Sequence, residues 1–303
     1  MASLTVKIVD IELKHPVMNA SGILGAYREH IVRLVSYGIS AIVTKTITPK
    51  PREGYNPPTI IELPTGGLIN AVGLENPGKP IIRELVSEAK KYGLPIIVSV
   101  GGRNEEEFIE VATEAESSNA DAVELNLSCP HAKGYGIEVG VDPNAVYNVV
   151  KVVASTVRIP VIAKLGLCDK IVESALKALE AGAKALTLIN TIKALYIDVY
   201  TTKPVLTNIF GGLSGPPIHP IAVRAVYEVY RETSATIIGC GGIYDWKTAA
   251  EMILAGAKAL QIGTALIKNP KKVVQDIVEG LRRWLEVLGI SNIEQAIGLA
   301  QKI

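Results

Sequence analysis

The sequence predicts an α/β protein, a (β/α)8 TIM barrel with inserted loops over the C-terminal face of its strands. Three observations predict it. Short Val- and Ile-rich runs recur along the 303 residues without polar–apolar alternation, as suits parallel strands covered on both faces. Amphipathic helical patterns separate these runs. The segment Ala181-Gly182-Ala183-Lys184-Ala185-Leu186 returns as Ala255-Gly256-Ala257-Lys258-Ala259-Leu260, each copy closing a helix on a glycine and entering a strand.

In chain order, strands are expected near Val17–Ser21, Ala41–Lys45, Ile96–Val100, Val123–Leu127, Val161–Leu165, Ala185–Asn190, Thr236–Cys240 and Ala259–Gly263. The helices between them carry start and stop signals. Asn104 precedes Glu105, Glu106 and Glu107, a cap followed by charges that favour the positive end of the helix dipole. Phe108, Val111, Ala112 and Ala115 then form an inner face. Asp169 and Asp245 occupy the same cap position before their own apolar stripes, and Gly38 and Gly93 end earlier helices. Val273, Val274, Ile277, Leu281, Trp284 and Leu285 mark the last barrel helix, and Ser291 with Glu294 reads as a capping box for a final one. The whole chain, 1–303, reads as one barrel domain. A doubly wound sheet is the runner-up, but no G-x-G-x-x-G follows a strand and opens a helix.

Two connections are too long for plain turns. Residues 46 to about 80 carry Pro49, Pro51, Pro57, Pro58 and Pro64 and the segment Gly66-Gly67-Leu68-Ile69-Asn70-Ala71-Val72-Gly73, and residues 191 to about 217 hold Gly211-Gly212-Leu213-Ser214-Gly215-Pro216-Pro217. Both follow strands, so both belong at the face where barrels place their chemistry. The stretch from His131 to Gly140 looks like a third, mobile loop.

Composition narrows the function classes. Thirty-one basic against thirty acidic residues give a net charge of +1, which argues against nucleic acid or acidic lipid as a partner. Neither a signal peptide nor a run of transmembrane length is evident, so a cytoplasmic protein is expected. The three cysteines, Cys129, Cys168 and Cys240, form no C-x-x-C pair, which fits a reducing compartment and leaves no local zinc or iron–sulfur motif. No metal site is expected.

The strand ends carry the chemistry. They read Ser21, Lys45, Ser99, Asn126, Lys164, Asn190, Gly241-Gly242 and Gly263-Thr264. A barrel that only had to fold would not need two lysines in its mouth, although either alone could be a snorkelling surface residue. The glycines end the seventh and eighth strands, where barrels often bind phosphate through backbone N–H groups. Val123-Glu124-Leu125-Asn126-Leu127-Ser128-Cys129-Pro130 ends a strand on an amide and puts a thiol just beyond it. The residues alone give a phosphate-bearing ligand, polar groups for a ring and a loop thiol, and leave oxidoreductase, isomerase and lyase open.

Asn126-Leu-Ser-Cys129-Pro130, Leu68-Ile-Asn70-Ala-Val-Gly73-Leu74, Ile189-Asn190-Thr191, Gly211-Gly-Leu-Ser-Gly215-Pro216 and Gly239-Cys-Gly-Gly242 together resemble dihydroorotate dehydrogenase, over almost the whole chain and in that family's order. The soluble class 1 enzymes are the closest, because the membrane-associated class carries serine at Cys129 and an N-terminal extension. The branch that works with an electron-transfer subunit, the 1B type, is the most similar.

The resemblance implies FMN across the barrel mouth, its phosphate on Gly215, Gly241, Gly242, Gly263 and Thr264, with Ser21, Lys45, Thr46, Ser99, Asn126 and Ile189 lining the rest. Lys164 would lie near the pyrimidine end of the flavin. Lys45, Asn70, Ala71, Val72, Gly73, Leu74, Asn126, Asn190 and Thr191 would hold dihydroorotate, and Cys129 would be the general base. The implied activity is oxidation of dihydroorotate to orotate in pyrimidine synthesis. The implied assembly is a homodimer core with a separate electron-transfer subunit carrying FAD and an iron–sulfur cluster. Alternatives are a dihydropyrimidine dehydrogenase-like reduction of pyrimidine bases and, in another class, a phosphosugar-binding barrel isomerase. Two positions depart from the family pattern: His131 stands where asparagine is common, and Gly166-Leu167-Cys168 where Thr-Pro-Asn is expected, which makes Cys168 an alternative base.

Overall fold

All eight predicted runs form strands, and they pair side by side in one parallel sheet. The computed structural model describes residues 2–64, 66–127 and 142–302. A short hairpin, β1 (Val6–Ile8) and β2 (Ile11–Leu13), comes first. The chain then runs through β3 (Val17–Asn19), β4 (Ile42–Val43), β5 (Ile60–Glu62), β6 (Leu68–Asn70), β7 (Ile96–Val100), β8 (Ala122–Asn126) and β9 (Val161–Leu165). It continues through β10 (Ala185–Leu188), β11 (Ile192–Leu195), β12 (Ile197–Asp198), β13 (Lys203–Pro204), β14 (Phe210–Ser214), β15 (Ile237–Cys240) and β16 (Ala257–Ile262).

The barrel sheet has the order β3-β16-β15-β10-β9-β8-β7-β4. Its two ends, β3 and β4, meet without a regular ladder, and the seam is closed by side chains. Asn19 Nδ2 donates to the Val43 carbonyl at 2.7 Å, and Val43 N–H donates to Asn19 Oδ1 at 3.0 Å. Ser40 adds its N–H and hydroxyl to the Val17 carbonyl at 3.0 and 2.9 Å. An asparagine side chain carries an N–H donor group beside a carbonyl acceptor, so it can meet the N–H and C=O that one strand residue presents.

β7, β8 and β9 are buried along their whole length because helices cover them outside and side chains fill them inside. The helix Glu105–Ser117 shows how this cover forms. Asn104 accepts the Glu107 N–H as predicted, three glutamates follow, and Phe108, Val111, Ala112 and Ala115 are fully buried against the barrel. Burying a side chain such as Phe108 contributes on the order of 2–3 kcal/mol. Asp245 caps the helix Trp246–Ala255 in a reciprocal capping box with Thr248.

Two expected caps are different. Asp169 does not cap the helix Ile171–Glu180: Lys170 holds the N-cap position, with no side-chain hydrogen bond. The box expected from Ser291 and Glu294 is made one residue later, by Asn292 with Gln295, and it opens the 3-10 turn Ile293–Ala296 rather than a final α-helix. Both registers satisfy the same sequence pattern.

The two long connections contain ordered structure. Their strands form a four-stranded antiparallel sheet, β11-β14-β6-β5, with Gly212 paired to Asn70 and Ile61 to Ile69. Ile69, Ala71 and Leu206 give it a small core of its own. The hairpin β1–β2 alternates buried and exposed residues and joins the main core through Val6, Ile8, Ile11 and Leu13. Among the described residues, no helix is long and apolar enough to cross a membrane.

Candidate functional site

The strand ends and the four-stranded sheet enclose one cavity of about 460 Å³, within the roughly 300–1,000 Å³ range of small-molecule sites. Every predicted site residue among the described ones lines it, except Ser99 and Ala71. Cys129, Ser128 and His131 lie outside the described residues.

Ser99 stands one layer behind the wall. It is fully buried, with its hydroxyl 3.0 Å from Thr46 Oγ1. From there a polar ladder crosses the mouth. Asn126 Nδ2 donates to Thr46 Oγ1 at 3.0 Å, Asn190 Nδ2 donates to Asn126 Oδ1 at 3.1 Å, and the Thr191 N–H donates to Asn190 Oδ1 at 2.8 Å. Each bond fixes which way the next amide faces, so the ladder is an oriented row of polar groups along the cavity wall. Ala71 is buried in the small core of the covering sheet, while its neighbours Asn70, Val72, Gly73 and Leu74 face the cavity. Asn76 pins that segment: its Nδ2 donates to the Leu74 carbonyl at 2.7 Å and to Thr48 Oγ1 at 2.9 Å.

A second part of the cavity wall is nearly bare backbone. Gly215, Gly241 and Gly242 all have positive φ, and their backbones approach closely. A Cβ on Gly242 would come within 2.6 Å of the Gly215 carbonyl oxygen, and one on Gly241 within 2.6 Å of Ala222 Cβ. His219 fastens this turn, with Nδ1 3.0 Å from the Gly241 carbonyl oxygen and Nε2 2.9 Å from Glu251 Oε2. Gly263 and Thr264 complete the wall, Thr264 Oγ1 donating to Ser214 Oγ at 2.9 Å. Only glycine permits this approach, so this part of the wall is close-packed backbone, a surface that could hold a phosphate.

Both predicted lysines reach the cavity. Burial holds the Lys45 ammonium below its ordinary value of 10.5, against a smaller opposing pull from Glu75. Lys164 enters from the β9 end and donates to Gln261 Oε1 at 2.8 Å and to Ser21 Oγ at 3.3 Å. Behind it lies Glu124, whose Oε2 accepts from Thr187 Oγ1 at 2.9 Å and from Gln261 Nε2.

The sequence reading missed Glu124, Gln261, Thr187 and Cys240. Two signals were available: Glu124 shares a strand face with Asn126 two residues on, and Gln261 lies two residues before the Gly263 turn. Of the other cysteines, Cys240 rather than Cys168 lines the cavity. Cys168 is half-buried and packs against the main core. Burial pushes the Cys240 thiol up, with Lys164 partly opposing.

The fold and this mouth define a (β/α)8 barrel whose cavity joins a glycine-lined wall to a row of hydrogen-bonded amides. Comparison with known proteins then gives the family. The family profile described as dihydroorotate dehydrogenase matches residues 3–285, and the chain belongs to that family. It is 48% identical to dihydroorotate dehydrogenase B (NAD(+)), catalytic subunit, of Thermococcus kodakarensis, over 99% of each chain. It is 46% identical to the protein of that name from Pyrococcus furiosus, over 99% of this chain and all of that one. A chain from Aeropyrum pernix, provisionally named dihydroorotate dehydrogenase A (fumarate), is 50% identical over 99% of this chain and 98% of its own. The crystal structure of DHODH in complex with ferulenol from Eimeria tenella superposes with a TM-score of 0.86 over 99% of this chain and 89% of that one. At 24% identity that likeness carries the fold alone.

The chain closely matches the class 1B, NAD(+)-linked catalytic-subunit type. It is a flavin-dependent oxidoreductase that oxidises dihydroorotate to orotate, and its cofactor is FMN.

Proposed function

We propose that this cavity is where that oxidation takes place, with FMN on the glycine cradle and dihydroorotate beside the amide ladder. The observation that supports the reading best is their meeting in one cavity. A cradle closed to any Cβ at Gly241 and Gly242 and a row of fixed amides from Asn126 to Thr191 suit a phosphorylated planar cofactor and a planar polar substrate.

Gly215, Gly241, Gly242, Gly263 and Thr264 hold the phosphate in this reading. Ser21, Lys45, Thr46, Asn126 and Ile189 line the flavin, and Ser99 acts from behind by orienting the Thr46 hydroxyl. Lys164 would lie near the pyrimidine end of the ring. Lys45, Asn70, Val72, Gly73, Leu74, Asn126, Asn190 and Thr191 hold dihydroorotate and its carboxylate, and Ala71 seats that segment on the covering sheet.

FMN supplies a two-electron acceptor. The chain must remove the accompanying proton. Cys129 takes the C5 proton of dihydroorotate as the C6 hydride leaves, so the C5–C6 double bond of orotate forms and charge balances. A thiol serves as this base when its pKa is drawn towards neutrality or proton and hydride depart together. Lys164 places positive charge where negative charge accumulates.

The electrons must then leave. Relatives named as catalytic subunits imply an associated electron-transfer subunit. We extend this to a homodimer core of this chain that passes electrons to a subunit carrying FAD and an iron–sulfur cluster. The test of the site is substitution in the cradle: Gly242→Ala, whose Cβ would displace the turn against Gly215 and His219, should abolish FMN retention while circular dichroism still reports the barrel's helices and strands. Full FMN retention in that variant would contradict the placement.

A further inference from the structure

Lys164 and Glu124 form a charge pair whose side chains are 3% and 0% exposed, with Nζ and Oε1 3.6 Å apart, just beyond hydrogen-bond reach. Gln261 links them, accepting from the ammonium through Oε1 and donating to the carboxylate through Nε2. The two charges dictate that amide orientation, because an ammonium can only donate and an ionised carboxylate only accept. Thr187 fixes the carboxylate from β10. Lys164 and Gln261 line the cavity, whereas Glu124 and Thr187 lie behind them. The cavity therefore faces a cation backed by an anion, not an isolated cation.

Folding alone gives a weak reason for this arrangement. Taking two charges out of water costs several kcal/mol each, and well-packed apolar residues often stabilise a core as well or better. Most of the buried core is apolar, and the other polar groups buried at the barrel strands, Asn19, Thr44, Thr46 and Ser99 among them, are neutral.

We infer that Glu124 is a positioning and charge-balancing residue for the bound flavin: it holds Lys164 at the cavity wall and offsets part of its positive charge, which keeps the flavin's reduction potential low. This rests on the reading that FMN lies against Lys164. Accepting a hydride makes the ring one charge more negative. A neighbouring cation favours the reduced form and a neighbouring anion disfavours it. Removing the anion should therefore raise the potential, and removing the cation should lower it. A lower potential favours passing electrons onward, which a catalytic subunit must do.

The test is an anaerobic redox titration of the FMN-loaded chain against a reference dye. Glu124→Gln keeps the shape and removes the charge. It should raise the ratio of reduced to oxidised flavin about tenfold at fixed dye potential, about 30 mV for a two-electron couple. Glu124→Asp, which keeps the charge, should stay within about threefold of the parent. Lys164→Met should shift the ratio the other way. The double variant Lys164→Met with Glu124→Met leaves no lone buried charge, and its potential should lie above that of Lys164→Met.

If Lys164→Met lowers the potential but neither Glu124→Gln nor the double variant raises it relative to its own parent, this inference is overturned and the flavin placement stands. If no substitution moves the potential, the placement of FMN against Lys164 falls, and this inference with it. A role in folding alone would change melting behaviour and leave the potential where it was.

Discussion

Asn19 and Val43 close the barrel: the side-chain amide of one meets the backbone N–H and carbonyl of the other at 3.0 and 2.7 Å. Ser21 and Lys45, both at the cavity, each lie two residues beyond this clasp. Asn19→Ala leaves two buried backbone groups without these partners, at about 1–3 kcal/mol each. The variant should unfold at clearly lower denaturant concentration, with weakened FMN binding because both wall residues lose their anchor. An unchanged midpoint would mean that the seam is held by packing alone.

Lys45 gives a pH prediction. Its folded-state pKa is lowered by burial, so at alkaline pH it loses its proton before a free lysine with the ordinary value of 10.5 would. Between the two values the unfolded chain binds more protons than the folded one, so this group's contribution to stability rises with pH in that window. Substrate binding runs the opposite way, because the carboxylate loses its ammonium. Orotate affinity should fall as pH rises through an alkaline range below 10.5, and Lys45→Met should flatten the profile while weakening binding at neutral pH. A profile unchanged in that variant would remove Lys45 from the substrate site.

For the base, Cys129→Ala should keep FMN and bind orotate yet reduce flavin with dihydroorotate about 10²–10⁴-fold more slowly. Cys168→Ala should be close to the parent, since Cys168 packs against the core and does not line the cavity. Stopped-flow reduction of the two variants decides the matter, and the reverse pattern would transfer the role to Cys168.

The parallel barrel was legible in the sequence because each buried strand is a mostly apolar run without regular alternation, set between helices of a different period. The covering sheet was not. β5 and β6 have three residues each, too few to show alternation, and β6 pairs across 142 residues from Asn70 to Gly212. Short-range patterning carries no record of such pairing. The same holds inside the barrel: Glu124, Thr187 and Gln261 come from three different strands and meet only when the sheet closes. The cavity-lining residues at strand ends were readable because a polar group or glycine interrupts an apolar run there. Ser99 was readable as polar, but whether it faced the cavity or the layer behind depended on Thr46, which packs in front of it.

The electron-transfer partner predicts a specific purification result. The chain taken from its native source should carry a second subunit, iron and FAD, and the pair should reduce NAD(+) faster than the isolated chain does. Rapid turnover of the isolated chain with fumarate, and no co-purifying subunit, would align it with the Aeropyrum pernix relative's name instead.

The most direct measurement is anaerobic mixing of the purified, FMN-reconstituted chain with dihydroorotate while following the visible flavin absorbance. The expected result is a yellow protein that dihydroorotate bleaches in a single fast phase and dihydrouracil, which lacks the carboxylate, leaves oxidised. A colourless protein that cannot be reconstituted with FMN, or one that dihydrouracil bleaches in preference, would contradict it.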